Sequence, residues 1–209
     1  MKIRITLIIA LILIPIVCCS RKKIEPPKVD LHSAVVSGDL ESIRQHIKAG
    51  SDLNVLEPSR ASTPLITAAY IGNSKAAQLL IDAGADLNYQ NADGSTALHT
   101  AAVFNRIEVA RDLIKAGANL NIQNNDGSTP LHAAAFLCRP EIVKMLLENG
   151  ADKTLKNKMG KTALQNVEVP FEYVKGAYDA VLAGLRPLGL QLDYEYIKKT
   201  RPEIAAMLK

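Results

Sequence analysis

The chain has no Trp, only 4% aromatic residues and three Cys in 209 residues, with a formal net charge of +4. Each shortage excludes something. Removing residues 1–18 takes away Lys2 and Arg4, so the charge falls from +4 to +2, and the basic isoelectric point overstates the basicity of a processed chain. Nothing here approaches a nucleic-acid-binding charge field, and no basic stripe carries interleaved aromatics. Two of the three cysteines, Cys18 and Cys19, lie in the N-terminal leader, which leaves Cys138 alone in the processed chain. No intramolecular disulfide is then possible. Two readings of Cys138 stand: a small turn residue, or an intermolecular or redox thiol.

Catalytic signatures are also missing. The processed chain has no CxxC, and the whole chain has no HxxxH pair, GxSxG elbow, Walker loop or GxGxxG. No metal site, cofactor site or small-molecule substrate site follows from the residues, and the chain reads as a non-enzyme.

What is present is a period. Thr63-Pro64-Leu65, Thr96-Ala97-Leu98, Thr129-Pro130-Leu131 and Thr162-Ala163-Leu164 follow one another at steps of 33 residues. Gly84-Ala85-Asp86, Gly117-Ala118-Asn119 and Gly150-Ala151-Asp152 keep the same step, and so do Asp93-Gly94-Ser95 and Asp126-Gly127-Ser128. A fixed period of this length marks a solenoid, in which no unit buries its own apolar face and neighbours must stack. Within one unit, Leu98, Ala101 and Ala102 share a helical face. Asn105 stands where Gly72 stands one unit earlier, which predicts a left-handed turn there. A second helix follows from about Ile107 to Ala116, ended by Gly117. A polar stretch around Asp-Gly then reads as a projecting hairpin-like finger.

The TPLHxAA and GADxN patterns resemble those of ankyrin repeats. The resemblance covers Thr63–Lys161 strongly and Leu31–Ser62 in degenerate form. It implies an all-α ankyrin-repeat solenoid of about five units at 29–62, 63–95, 96–128, 129–161 and 162–209, the first with one extra residue and Asp30 as a helix cap. It also implies that His99 and His132, the His of TxLH, make structural hydrogen bonds within and between units. The acids Asp86, Asp93, Asp126 and Asp152 recur with the repeat and read as turn organisers.

The last unit departs from the pattern. Arg201-Pro202-Glu203-Ile204 resembles Arg139-Pro140-Glu141-Ile142, but lies 39 residues after its Thr rather than 10. A final repeat split by 29 extra residues, within about 167–200, accounts for this. Val174, Tyr178, Val181 and Leu185 fall at helical spacing between about Phe171 and Leu185. The insertion reads either as a bulky C-terminal cap or as a private docking element.

The N-terminus reads as an address. Lys2 and Arg4 precede 15 uncharged residues, Ile5–Cys19, and Arg21-Lys22-Lys23 follow. As a helix this run would span roughly 22 Å, short of a hydrocarbon core of about 30 Å. It has the build of a secretory signal at 1–18. Ile16-Val17-Cys18-Cys19 resembles a bacterial lipobox, with Cys19 as the lipidated residue, although Cys18 stands where a smaller residue is usual. A plain secretory signal and an uncleaved anchor are the other two readings. Residues 19–28, with Pro26-Pro27, would then form a short tether. The expected location is the cell envelope, on a membrane-anchored lipoprotein facing the periplasm or the exterior.

For a binding surface, the resemblance points to the concave face and the finger tips. The positions after each Ala pair are Tyr70-Ile71, Val103-Phe104 and Phe136-Leu137, all apolar. They form a groove for a partner protein, or pack inward, or lie under the tether or the insertion. Tyr89, Asn91, Ile122 and Asn124 on the fingers form its rim or simply solvated turns. The expected partner is another protein, with the membrane reached through the lipid. An inhibitor or immunity protein that occludes a toxin or hydrolase, and an envelope scaffold, are the alternatives.

Overall fold

The computed structural model describes residues 24–209, so the expected leader 1–18, the expected lipidation residue Cys19 and residues 20–23 of the expected tether lie outside the described residues. The described chain is all-helical, with no strand. Its helices come in pairs: α1 (Leu31–Ser37) with α2 (Leu40–Ala49), α3 (Pro64–Ile71) with α4 (Ser74–Asp82), α5 (Ala97–Val103) with α6 (Ile107–Lys115), and α7 (Pro130–Phe136) with α8 (Pro140–Glu148). The final unit opens with α9 (Ala163–Glu168), continues through α10 (Phe171–Leu185) and closes with α11 (Tyr194–Leu208). First helices pack on first helices and second on second along the stack, and α11 packs against α9 and α8 in place of an ordinary second helix.

Local chemistry sets each start and stop. Thr63, Thr96, Thr129 and Thr162 are N-caps whose side chains accept from the backbone N–H three residues on. Asp30 does the same for α1. Between the two helices of a unit the chain turns through a left-handed residue: Gly38, Gly72, Asn105 and Cys138, the last two at φ 55°. Small residues then let helices approach. Ala68, Ala69, Ala101, Ala102, Ala134 and Ala135 are fully buried, and one continuous core runs from Leu31 to Leu208. This is how short helices, marginal alone, become stable.

The repeat histidines tie units together. His99 Nε2 donates to Ser128 C=O at 2.9 Å and His132 Nε2 to Lys161 C=O at 3.1 Å, while each Nδ1 accepts from its own N-cap Thr N–H at 3.2 Å. Burial holds both rings neutral: His99 is pushed down to about 4, and His132 is lowered for the same reason. His46, which the repeat pattern leaves unassigned, pins the entering chain, with Nε2 2.7 Å from Val29 C=O.

The fingers are tight hairpin-like turns, as read from the sequence, with Asn124 N–H donating to Ser128 C=O at 2.9 Å in one of them. One detail differs from the sequence reading. Arg201-Pro202 does not begin the last second helix as Arg139-Pro140 does, because α11 starts eight residues before the matching Pro202, capped by Asp193. The insertion therefore supplies an extra two turns to that helix.

Candidate binding surface

The columns of the stack are set by the repeat. Val36, Tyr70, Val103 and Phe136 occupy equivalent positions at the ends of the first helices. Beside them, Tyr70 and Phe104 meet edge to face, ring centroids 5.0 Å apart at 81°. The predicted groove residues Tyr70, Ile71, Val103, Phe104 and Phe136 are all half-buried, and Leu137 is buried at 3% exposure. None of them is among the exposed large apolar residues.

The insertion reaches two of them, Phe136 and Tyr70. Tyr178, in the middle of α10, is fully buried and stacks on Phe136, centroids 4.3 Å apart with the planes 10° from parallel. Phe171 and Tyr194 close around the same ring, with centroids 5.6 and 6.4 Å from that of Tyr178. The 3-10 turn that follows α10 (Arg186–Leu188) reaches back two repeats, where Tyr70 OH donates to Leu188 C=O at 2.8 Å. The insertion thus works as a strap from Phe136 to Tyr70.

An arginine series shows how the strap is keyed in. Arg106 Nε donates to Tyr70 C=O at 3.2 Å, and Arg139 Nη2 donates to Val103 C=O at 3.3 Å. Each Arg opens a second helix and satisfies the carbonyl at the end of the preceding first helix, one of the orphan acceptors every helix leaves. The next carbonyl in the series, Phe136 C=O, is met by Tyr178 OH instead, and Arg201 donates to that hydroxyl at 2.7 Å. Burial pushes the Tyr178 hydroxyl up to about 12, so it stays protonated and able to donate. Arg201 is 4% exposed and faces neutral oxygens, with Asn166 and Val169 carbonyls as its other acceptors.

The finger residues have inward tasks. Asn91 Oδ1 accepts from Asp93 and Ser95 N–H, and Asn124 Oδ1 from Asp126 and Ser128 N–H, at 2.9–3.0 Å. In the longer first finger Glu57 takes this part with a longer side chain, accepting from Arg60 and Ser62 N–H, and its hydrogen bonds, chiefly from Ser59, hold it down at about 2. Gln90 bridges to Gln123 C=O and Gln123 to Lys156 C=O, lacing successive fingers. Asp86 and Asp152 organise turns, accepting from Asn88 and Thr154 N–H, while Asp93 pairs with Arg60 across fingers. Tyr89 and Ile122 are half-buried.

Past the reach of the strap, the first unit stays open. Val36 is 62% exposed, Val55 41% and Leu56 46%. Val36 continues the Tyr70 column, and Val55 continues the column of Tyr89 and Ile122 once the 34-residue first step is allowed for. Val55 and Leu56 line a shallow depression together with His32, His46, Asp30 and Asp52. The 34-residue step to Tyr70 carries this signal in the sequence, but the first unit has Ala34-Val35 in place of the Ala-Ala pair that marks the column in later repeats.

Cys138 is fully buried, its Sγ 3.7 Å from Ile197 C=O under α11, and burial pushes the thiol up to about 11. The reading as an exposed redox or pairing thiol is therefore overturned; the residue serves as a small left-handed turn residue. Among the described residues no group of His, Cys, Asp and Glu is placed to hold a metal ion, and no helix is long and apolar enough to cross a membrane.

Two profiles of ankyrin repeats match the chain, one of three copies over residues 31–124 and one of many copies over 113–165. A curated protein similar in part is the ARF GTPase-activating protein GIT1 of Homo sapiens, 36% identical over 64 residues. The same protein of Mus musculus matches equally. The match covers 31% of this chain and 8% of each relative, so it reports shared repeats rather than a shared whole.

Proposed function

We propose, for a chain that belongs to the ankyrin-repeat family, a non-catalytic role: a membrane-tethered protein outside the cytoplasm that binds another protein through the open end of its concave face. The observation that carries this reading is the exposure of Val36 at 62% and Val55 at 41%, at positions whose equivalents in later repeats are covered or packed. Exposed apolar residues on a rigid, hydrogen-bonded scaffold need a reason, and a partner supplies one. A stack laced by His and Gln bonds presents its surface with little ordering cost on binding. The tether rests on the lipobox-like Ile16-Val17-Cys18-Cys19 and the short basic stretch after it. A diacylated or triacylated Cys19 would anchor stably, since one chain alone is marginal.

The test has two arms. Fractionation of cells expressing the tagged chain places the native form in the membrane pellet and Cys19→Ala in the soluble fraction; equal membrane association of the two defeats the lipid tether. Crosslinked capture from detergent-solubilised envelope enriches one protein with the native bait and loses it with Val36→Glu, Val55→Glu, whose folding is checked by circular dichroism. Retention by the variant defeats the open-end surface.

A further inference from the structure

The strap and the face beneath it differ in how firmly they are built. Helices of the repeats bury much of their length: α3 buries five of its eight residues and α6 four of nine. In contrast, α10 has fifteen residues and buries two, Phe171 and Tyr178. Its N-terminus has Pro170 at the cap position and no side-chain cap bond. Gly176 and Gly184 lie in its interior, where each costs about 0.8–1 kcal/mol relative to Ala, and a Cβ at either would meet open space, so neither is required by close packing. Its ties are the Tyr178 ring on Phe136, Phe171 against Tyr178 and Tyr194, the half-buried Val174 and Val181, the Tyr178 hydroxyl between Arg201 and Phe136 C=O, the Tyr70–Leu188 bond, Tyr194 OH to Asp179 at 2.6 Å, and the exposed Lys198–Glu172 ion pair. A long helix with few buried contacts and exposed backbone is the kind of element that opens before the rest unfolds.

Beneath it is a prepared surface. Lifting α10 with the turn that follows it uncovers Phe136, its carbonyl and the Tyr70 hydroxyl, with Arg201 alongside. What sits there now defines what fits: an amphipathic helix that stacks one tyrosine on Phe136 and places its hydroxyl between a carbonyl and a guanidinium.

We infer that residues 171–190 are a displaceable, self-supplied ligand of the concave face, and that the face takes up a tyrosine-bearing amphipathic helix of a protein partner when α10 opens. The inference rests on the protein-binding reading above and extends the open end at Val36 into a longer groove. α10 then acts as an internal competitor. A partner that first engages the open end gains the rest of the groove as the strap leaves, and weak ligands are excluded by the strap's high local concentration.

Hydrogen exchange on the full chain tests the opening. Amides of α10 exchange at least about tenfold faster than those of α7 and α8, and Tyr70→Phe speeds α10 further while leaving α7 and α8 unchanged. Acceptance of a helix is tested on a chain in which 171–190 is replaced by a short Gly-Ser linker that keeps the Asp193 cap of α11. It stays folded and binds a fluorescein-labelled peptide of residues 171–190, and the peptide carrying Tyr178→Ala binds at least about tenfold more weakly. Exchange of α10 in step with α7 and α8, or unfolding of the shortened chain, overturns the inference and makes α10 a fixed part of the cap. Neither result depends on a natural partner, so failure of the capture experiment and failure of the strap are told apart.

Discussion

Arg201 donates to the hydroxyl of Tyr178 at 2.7 Å, and that hydroxyl occupies the place an arginine fills two repeats earlier. The pair joins the insertion to the repeat frame through one buried, uncharged acceptor. Tyr178→Phe keeps the stack on Phe136 but leaves Phe136 C=O unmet and Arg201 one acceptor short. A loss of about 1–3 kcal/mol is expected, the range for leaving a buried polar group without its partner. Arg201→Met removes the guanidinium from three acceptors and costs more, about 2–4 kcal/mol. Urea melts of the two variants against the native chain check both values; unchanged midpoints would show that the relay carries no stability.

Stability falls as pH drops from about 6.5 towards 4. His99 and His132 have folded pKa values below the unfolded value near 6.5, His99 at about 4, because both rings are buried neutral. In that window the unfolded chain binds protons that the folded chain does not, so acid favours unfolding, by about 1.4 kcal/mol per pH unit from His99, with His132 adding in the same direction. Thermal melts from pH 7.5 to 4.5 show the decline. His99→Gln, whose side chain can still donate to Ser128 C=O, flattens it; an equal slope in the variant would assign the decline elsewhere.

The finger turns approach so closely that one methyl group decides them. A Cβ on Gly127 would lie 2.8 Å from Lys158 N, at φ 72°, whereas a Cβ on Gly117, at φ 85°, meets nothing within 4 Å. Gly117→Ala therefore carries only the left-handed strain, about 1–2 kcal/mol. Gly127→Ala adds a backbone clash with the next finger and costs clearly more than Gly117→Ala. Equal melting temperatures for the two would contradict the close approach.

Cys138 is slow to react in the folded chain. Its thiol is fully buried and pushed up to about 11. In a form carrying Cys18→Ser and Cys19→Ser, a thiol reagent labels the native protein at the rate of opening and labels the urea-unfolded chain at once. Rapid labelling of the folded form would place Cys138 at the surface.

Much of this molecule was legible in the sequence because repetition writes the same physics several times. Thr96 and Thr129, His99 and His132, and Asn105 and Cys138 each carry one task at one step, so a single rule places them all. Val174, Tyr178, Val181 and Leu185 likewise marked α10 through their spacing. The seat of α10 was not legible. Its apolar face matches any apolar groove, and only the three-dimensional stack brings Phe136 opposite Tyr178 and Leu188 opposite Tyr70. The apolar stripe at Tyr70, Phe104 and Phe136 was visible as residues, but its cover was not. Asn91 and Asn124 read as surface groups because their turn-closing bonds are local geometry that composition does not display.

A photo-crosslinking residue at Val36, in intact cells, is the sharpest probe of the open-end surface. One discrete adduct is expected from Val36, to the same partner that capture enriches, and none from Lys115, an exposed position on a second helix at the other side of the stack. No adduct from Val36, or the same adducts from both positions, would contradict a binding surface at the open end of the concave face.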